Sequence, residues 1–137
     1  MTGFIFLFSQ CKKDSTNSSD LTTDIVGTYS NGYTNSSKVN MTIIKVDDNT
    51  VSIDIDAYGT GAGLYMSTKM NSKNSFTLNT RTFSDLRPGI GDCNIELTGT
   101  GVYSNKNITI EVKEKETMIN SPYTVTNSTA VFTATKQ

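Results

Sequence analysis

From Ile25 to the end of the chain, apolar and polar residues alternate with a period of two. That is the signature of strands with one face buried and the other in water. Val51-Ser-Ile-Asp-Ile-Asp-Ala-Tyr58 shows it most clearly. Val51, Ile53, Ile55 and Ala57 share one face, and Ser52, Asp54 and Asp56 share the other. On a helix these apolar residues would scatter around the cylinder. The pattern predicts strands near 25–30, 38–46, 51–58, 63–70, 74–82, 93–103, 107–113 and 128–135. Asp47-Asp48-Asn49-Thr50 and Ser104-Asn105-Lys106-Asn107 are rich in residues that accept turn geometry, so each reads as a hairpin loop. Pro88 and Pro122 fall outside the best strands, where a missing N–H does no harm.

About eight regularly spaced strands with no long amphipathic helical stretch define an all-β domain. Successive hairpins favour an antiparallel up-and-down meander. Closing it into a barrel removes its edges, and a β-sandwich is the alternative. A barrel of this size either fills with side chains or holds one small ligand.

Composition agrees and narrows the functional classes. The chain has 137 residues, enough for one domain. Twelve basic residues against thirteen acidic ones give a net charge of −1, and the basic residues are scattered, so nucleic acid is not an expected partner. There is no histidine, the commonest general base and metal ligand, which removes most hydrolase triads and zinc sites. No catalytic residue, metal site or cofactor is expected.

The first residues read differently. Gly3-Phe-Ile-Phe-Leu-Phe8 is apolar and is followed by Ser9, Gln10 and Cys11. The run is far shorter than the roughly 20 residues that span a bilayer as a helix. It has the order of a secretory signal ending at a cleavage site. With Cys11-Lys12-Lys13-Asp14 behind it, this stretch resembles the lipobox of bacterial lipoproteins, and those of Bacteroidetes-type bacteria in particular. The resemblance implies cleavage before Cys11, lipid attachment to its thiol, and an outer-membrane protein facing the periplasm or the cell surface. The missing basic n-region and the short apolar run fit a start codon placed too far downstream. A competing reading makes residues 4–8 a buried strand and pairs Cys11 with Cys93. Residues 14–24 carry one large apolar residue and read as a flexible tether. The expected organisation is therefore a signal at 1–10, a lipidated cysteine and tether at 11–24, and a barrel at 25–137.

Gly27-Thr28-Tyr29 in the first strand, eight strands, and a closing Phe132-Thr-Ala-Thr-Lys136 resemble a lipocalin-like, or calycin-type, barrel. In that family a tryptophan follows Gly-x and a late basic residue packs over it. The resemblance puts Tyr29 and Lys136 in those places. Gly27-Thr-Tyr-Ser-Asn31 and Asn40-Met-Thr-Ile43 are also similar to the first two strands of avidin-type barrels. Those grip biotin with tryptophans, and this chain has none, so biotin is not expected.

Few other constellations suggest chemistry. Asp54 and Asp56 lie about 7 Å apart along one strand face and read as a solvated outer surface. Glu111, Glu114 and Glu116 interleave with Lys113 and Lys115, which reads as a charged hairpin or edge. Residues 47–49 lack the spacing of a calcium loop, and the glycines at 59–63 lack a phosphate-loop continuation. Cys93 has no imidazole to activate it and reads as a small buried apolar group.

The stretch from Tyr58 to Gly91 is the most suggestive. Tyr58, Tyr65, Met66, Met70, Phe76, Phe83 and Leu86 gather large, adaptable side chains, with Arg81 and Arg87 nearby. Tyr58, Tyr65, Met66, Phe76, Arg81 and Phe83 are the candidate lining of a site for an apolar ligand with an acidic head. The plainer reading is ordinary core with a long loop at 83–92. The expected function is a non-enzymatic, lipid-anchored cell-envelope protein that holds a small apolar or amphipathic ligand in its barrel. The alternative is a surface interaction module with a filled interior, contacting a protein or glycan through its loops.

Overall fold

Each alternating stretch becomes a strand, and each strand pairs antiparallel with the next. The computed structural model describes residues 20–34, 37–56, 64–87, 91–119 and 125–137. The strands are β1 (Gly27–Thr34), β2 (Ser37–Lys45), β3 (Thr50–Asp56), β4 (Leu64–Ser72), β5 (Ser75–Arg87), β6 (Gly91–Ser104), β7 (Asn107–Met118) and β8 (Val125–Lys136). β8 returns to pair with β1 through Tyr29↔Lys136, Ser30↔Thr135 and Tyr33↔Thr133. The sheet is thus a closed eight-stranded up-and-down barrel rather than a sandwich.

Cross-strand partners share a face, so the register carries the alternation of each strand into rings around the barrel. Met41 faces Ile55, Ile43 faces Ile53, and Ile53 faces Met66. Across the barrel, Gly101 pairs with both Phe76 and Ile110, and Ile110 pairs with Phe132. All these side chains are buried in one apolar core. Burying each large aliphatic or aromatic side chain contributes roughly 1.5–3 kcal/mol. Gly101 is required there, because a β-carbon would sit 1.9 Å from the tip of the Phe76 ring.

One end of the barrel is closed by the chain that precedes β1. Thr22 and Ile25 are fully buried, with Leu21 and Val26 packed against the core. Asp20 holds this plug in shape by accepting from the Thr22 N–H at 2.8 Å and the Thr22 hydroxyl at 2.7 Å. Leu21 N–H bonds the Asp48 carbonyl, tying the plug to the β2–β3 turn. The β6–β7 turn lies at the same end, with Asn105 and Lys106 both at positive φ, as a two-residue type I′ hairpin requires. Lys136 closes over Gly27, which has φ +149°, and its Nζ donates to the Asp24 carbonyl at 2.8 Å.

At the other end the barrel is uneven. β5 to β8 have 13, 14, 12 and 12 residues, against 8, 9, 7 and 9 in β1 to β4. Half of the barrel therefore rises past the rim as a four-stranded wall. Two expectations from the sequence are corrected here. The long loop expected at 83–92 is mostly ladder, because Phe83↔Ile95, Asp85↔Cys93 and Leu86↔Asp92 pair within the wall. The charged stretch 111–116 is neither hairpin nor edge. It lies in the middle of β7, flanked by β6 and β8 over its whole length.

Candidate functional site

The wall has a seam where β4 and β5 part. Their ladder runs only from Ser72↔Ser75 to Thr68↔Leu78. Just beyond, β5 bulges against β6, with three steps from Leu78 to Arg81 opposite two from Gly99 to Leu97. A bulge bends its strand and ends local pairing. Side chains bridge the gap in place of backbone. Asn79 Nδ2 donates to Ser67 Oγ at 3.2 Å, and Arg81 Nη1 donates to the Tyr65 carbonyl at 2.7 Å.

Between the strands lies a cleft of about 400 Å³, lined by Tyr65, Met66, Ser67, Asn79, Thr80, Arg81 and Thr82. Its inner limit is Met66, 2% exposed and part of the barrel core. Its outer lip is Tyr65, 57% exposed and paired with Asp54 on the outward face. The cleft is thus open to solvent and floored where β4 meets the apolar core. Arg81 guards it, with its guanidinium carbon 5.2 Å from the centre of the Phe83 ring. Such cation–π stacking orients the group without neutralising it. Among the described residues no carboxylate forms an ion pair with Arg81, and one of its five N–H donors goes to Tyr65.

Thr68 follows Met66 on the inward face of β4, opposite Val51 and Leu78. It is completely buried, and its hydroxyl has no hydrogen-bond partner among the described residues. Leaving a buried hydroxyl unpaired costs on the order of 1–3 kcal/mol, so such groups are scarce in folded proteins.

The six residues singled out from sequence divide accordingly. Tyr65, Met66 and Arg81 line one cleft, and Phe83 joins them through the guanidinium. Phe76 belongs to the closed part of the core. Tyr58 and Cys11 lie outside the described residues. Ser67 and Asn79 also line the cleft, and Thr68 lies beside it on β4, none of them among the residues expected from sequence. Thr68 carried a legible signal, a polar residue at an inward position between Met66 and Met70. Asn79 carried none, since it depends on the bulge.

Two other features lie nearby. An open groove of about 470 Å³ runs over the outer face of the wall, where Thr82, Ser84, Asn94, Glu96, Lys115 and Thr117 present polar side chains. On the inner face, Cys93 is buried as a thiol, with Sγ 3.1 Å from Glu116 Oε1.

No family model matches the chain, and no curated protein matches it. Among solved structures, the barrel is similar to that of a rhizavidin–biotin complex. The two are 17% identical, the match covers 80% of this chain and 92% of that one, and the TM-score is 0.43.

Proposed function

We propose that this chain is a non-enzymatic, lipid-anchored protein of the bacterial cell envelope that binds a small amphipathic ligand through the β4–β5 seam. The cleft is the observation that carries the reading. It gathers one exposed cation, an exposed tyrosine and a buried methionine around one opening. Arg81 suits an acidic head group, because a guanidinium offers a planar fork of donors to a carboxylate or phosphate. Tyr65 and Met66 suit an apolar tail, and methionine repacks around varied shapes. The unpartnered Thr68 hydroxyl, one inward position beyond Met66, offers a hydrogen bond to a polar group that reaches inside.

The anchor rests on the resemblance of Cys11 and the apolar run before it to a lipobox, which supports a mature protein at the outer membrane, toward the periplasm or the cell surface. Cys11→Ser is expected to move the protein from the membrane fraction to the soluble fraction and to remove acyl mass from the intact chain.

Ligand binding is tested by titrating the full chain with decanoate, decanol and decyltrimethylammonium, followed by NMR shifts of the β4 and β5 amides. Decanoate is expected to saturate first and the cation last, and Arg81→Met to abolish the preference for decanoate over decanol. Absence of saturable decanoate binding would overturn the reading.

A second reading keeps the barrel filled and uses its outside. The polar groove across Thr82, Asn94, Glu96 and Lys115 favours it, because it faces solvent on the part of the wall that stands clear of the rim. Shifts confined to that groove on adding a partner, with the seam silent, would select this alternative.

A further inference from the structure

The wall has two long edges, and they are built differently. On β5 the edge beyond Leu78 carries a bulge and the charged residues Arg81 and Asp85, and Arg81 and Asn79 fasten it back to β4. Bulges and charges are the usual means by which natural sheets keep an edge from pairing with another chain. The β8 edge has none of them. Its ladder to β1 stops at Thr133, and from Val125 to Phe132 no strand pairs with that side among the described residues. Alternate residues of such an edge direct their N–H and C=O outward. The segment Val125-Thr-Asn-Ser-Thr-Ala-Val131 contains no charge, proline or glycine, and is half β-branched or more. Val125 and Val131 are 50% and 43% exposed on its outer face.

We infer that β8 pairs with β8 of a second copy of this chain, antiparallel about a two-fold axis through Ser128. The segment is nearly self-complementary in that register. Val125 falls opposite Val131 of the other copy, Thr126 opposite Ala130, Asn127 opposite Thr129, and Ser128 opposite itself. Both exposed valines gain an apolar partner, Asn127 gains a hydroxyl to bond, and no like charges meet along the strand pair. An isologous contact uses the same patch twice and closes as a dimer. The two four-stranded walls become one continuous eight-stranded sheet, and the β4–β5 seams remain open on its far sides. A joint this small covers less than the roughly 1,200 Å² of a stable interface, so the dimer is concentration-dependent. The inference stands independently of the ligand and of the anchor.

Sedimentation of the full-length chain carrying Cys11→Ser tests it. Its mass is expected to rise from one chain to two between low and high micromolar concentration. Ser128→Lys puts two ammonium groups on the axis and is expected to leave a monomer throughout, with an unchanged circular dichroism spectrum. Ser128→Cys places two thiols across a strand pair about 4.5–5.5 Å apart at Cα, within disulfide reach. Mild oxidation is expected to cross-link it, whereas Thr126→Cys, opposite Ala130, stays largely single. A monomer at every concentration, a dimer that survives Ser128→Lys, or equal cross-linking at 126 and 128 would each overturn the proposal.

Discussion

The tip of the Phe76 ring occupies the space that a side chain at Gly101 would fill, one strand away. The glycine is thus a socket for the aromatic residue, and β5 and β6 approach without a void between them. Gly101→Ala is expected to cost about 1–3 kcal/mol by overpacking, and Phe76→Ala about 3–5 kcal/mol by leaving a cavity. Urea titration checks both. The midpoint should fall at unchanged slope, and the double variant should lose less than the sum of the singles, because the two residues contest one volume.

Thr68→Val removes the unpartnered hydroxyl and keeps the branched shape. The variant is expected to be more stable than the native chain by on the order of 1 kcal/mol, since the desolvation cost of the unpaired group disappears. Thermal unfolding measures this. Weaker decanoate binding by the same variant would identify the hydroxyl as a ligand contact, and unchanged binding would confine it to the core.

Tyr29 is buried, and its hydroxyl donates to the Ile25 carbonyl at 2.5 Å. Burial, with Tyr103 edge-on at 6.4 Å, holds its ionisation above the ordinary value of 10.0. The unfolded chain therefore releases this proton first as pH rises. The stability it contributes is complete below pH 10 and declines above it. Tyr29→Phe is expected to cost about 1–3 kcal/mol at neutral pH by orphaning the carbonyl, and to flatten the alkaline decline. Urea midpoints at neutral and alkaline pH decide it.

At the closed end, Lys45 lies 2.5 Å from Asp20 and 2.7 Å from Asp48. The Lys45 ammonium, followed by the Thr22 hydroxyl and amide, holds the Asp20 carboxyl well below its ordinary value of 3.8. Asp20, then Asp48, raises Lys45 above 10.5. The Asp20 contribution is present above pH 3.8 and disappears as the solution becomes more acid, whereas that of Lys45 disappears above 10.5. Asp20→Asn is therefore expected to be less stable than the native chain at neutral pH and to converge with it in acid. Added salt should narrow the neutral difference, since the pair is partly exposed and screened. Acid titrations of both chains, with and without salt, check this.

Much of the candidate site was legible along the chain, because an aromatic, a methionine and an arginine concentrate between residues 58 and 91. What joins Tyr65 to Arg81 was not legible. Their meeting depends on one extra residue in β5 after Leu78, which moves Arg81 onto the same face as Leu97 and opens the seam. A single-residue slip leaves no mark on composition and little on periodicity. The length of the wall was hidden for a related reason. Val125-Thr-Asn-Ser-Thr and Phe83-Ser-Asp-Leu alternate too weakly to read as strands, and their ladders supply what their side chains do not signal.

By itself, the sequence determined the number of strands, their order and, where alternation is clean as at 51–55, which face turns inward. Those properties follow from local alternation and turn chemistry, and each strand carries its own copy of the instruction. Closure of β8 onto β1, the bulge that opens the cleft and the height of the wall were decided only in the tertiary structure. They arise from register between segments distant in the chain, where one residue's offset changes which groups meet and nothing nearby records it.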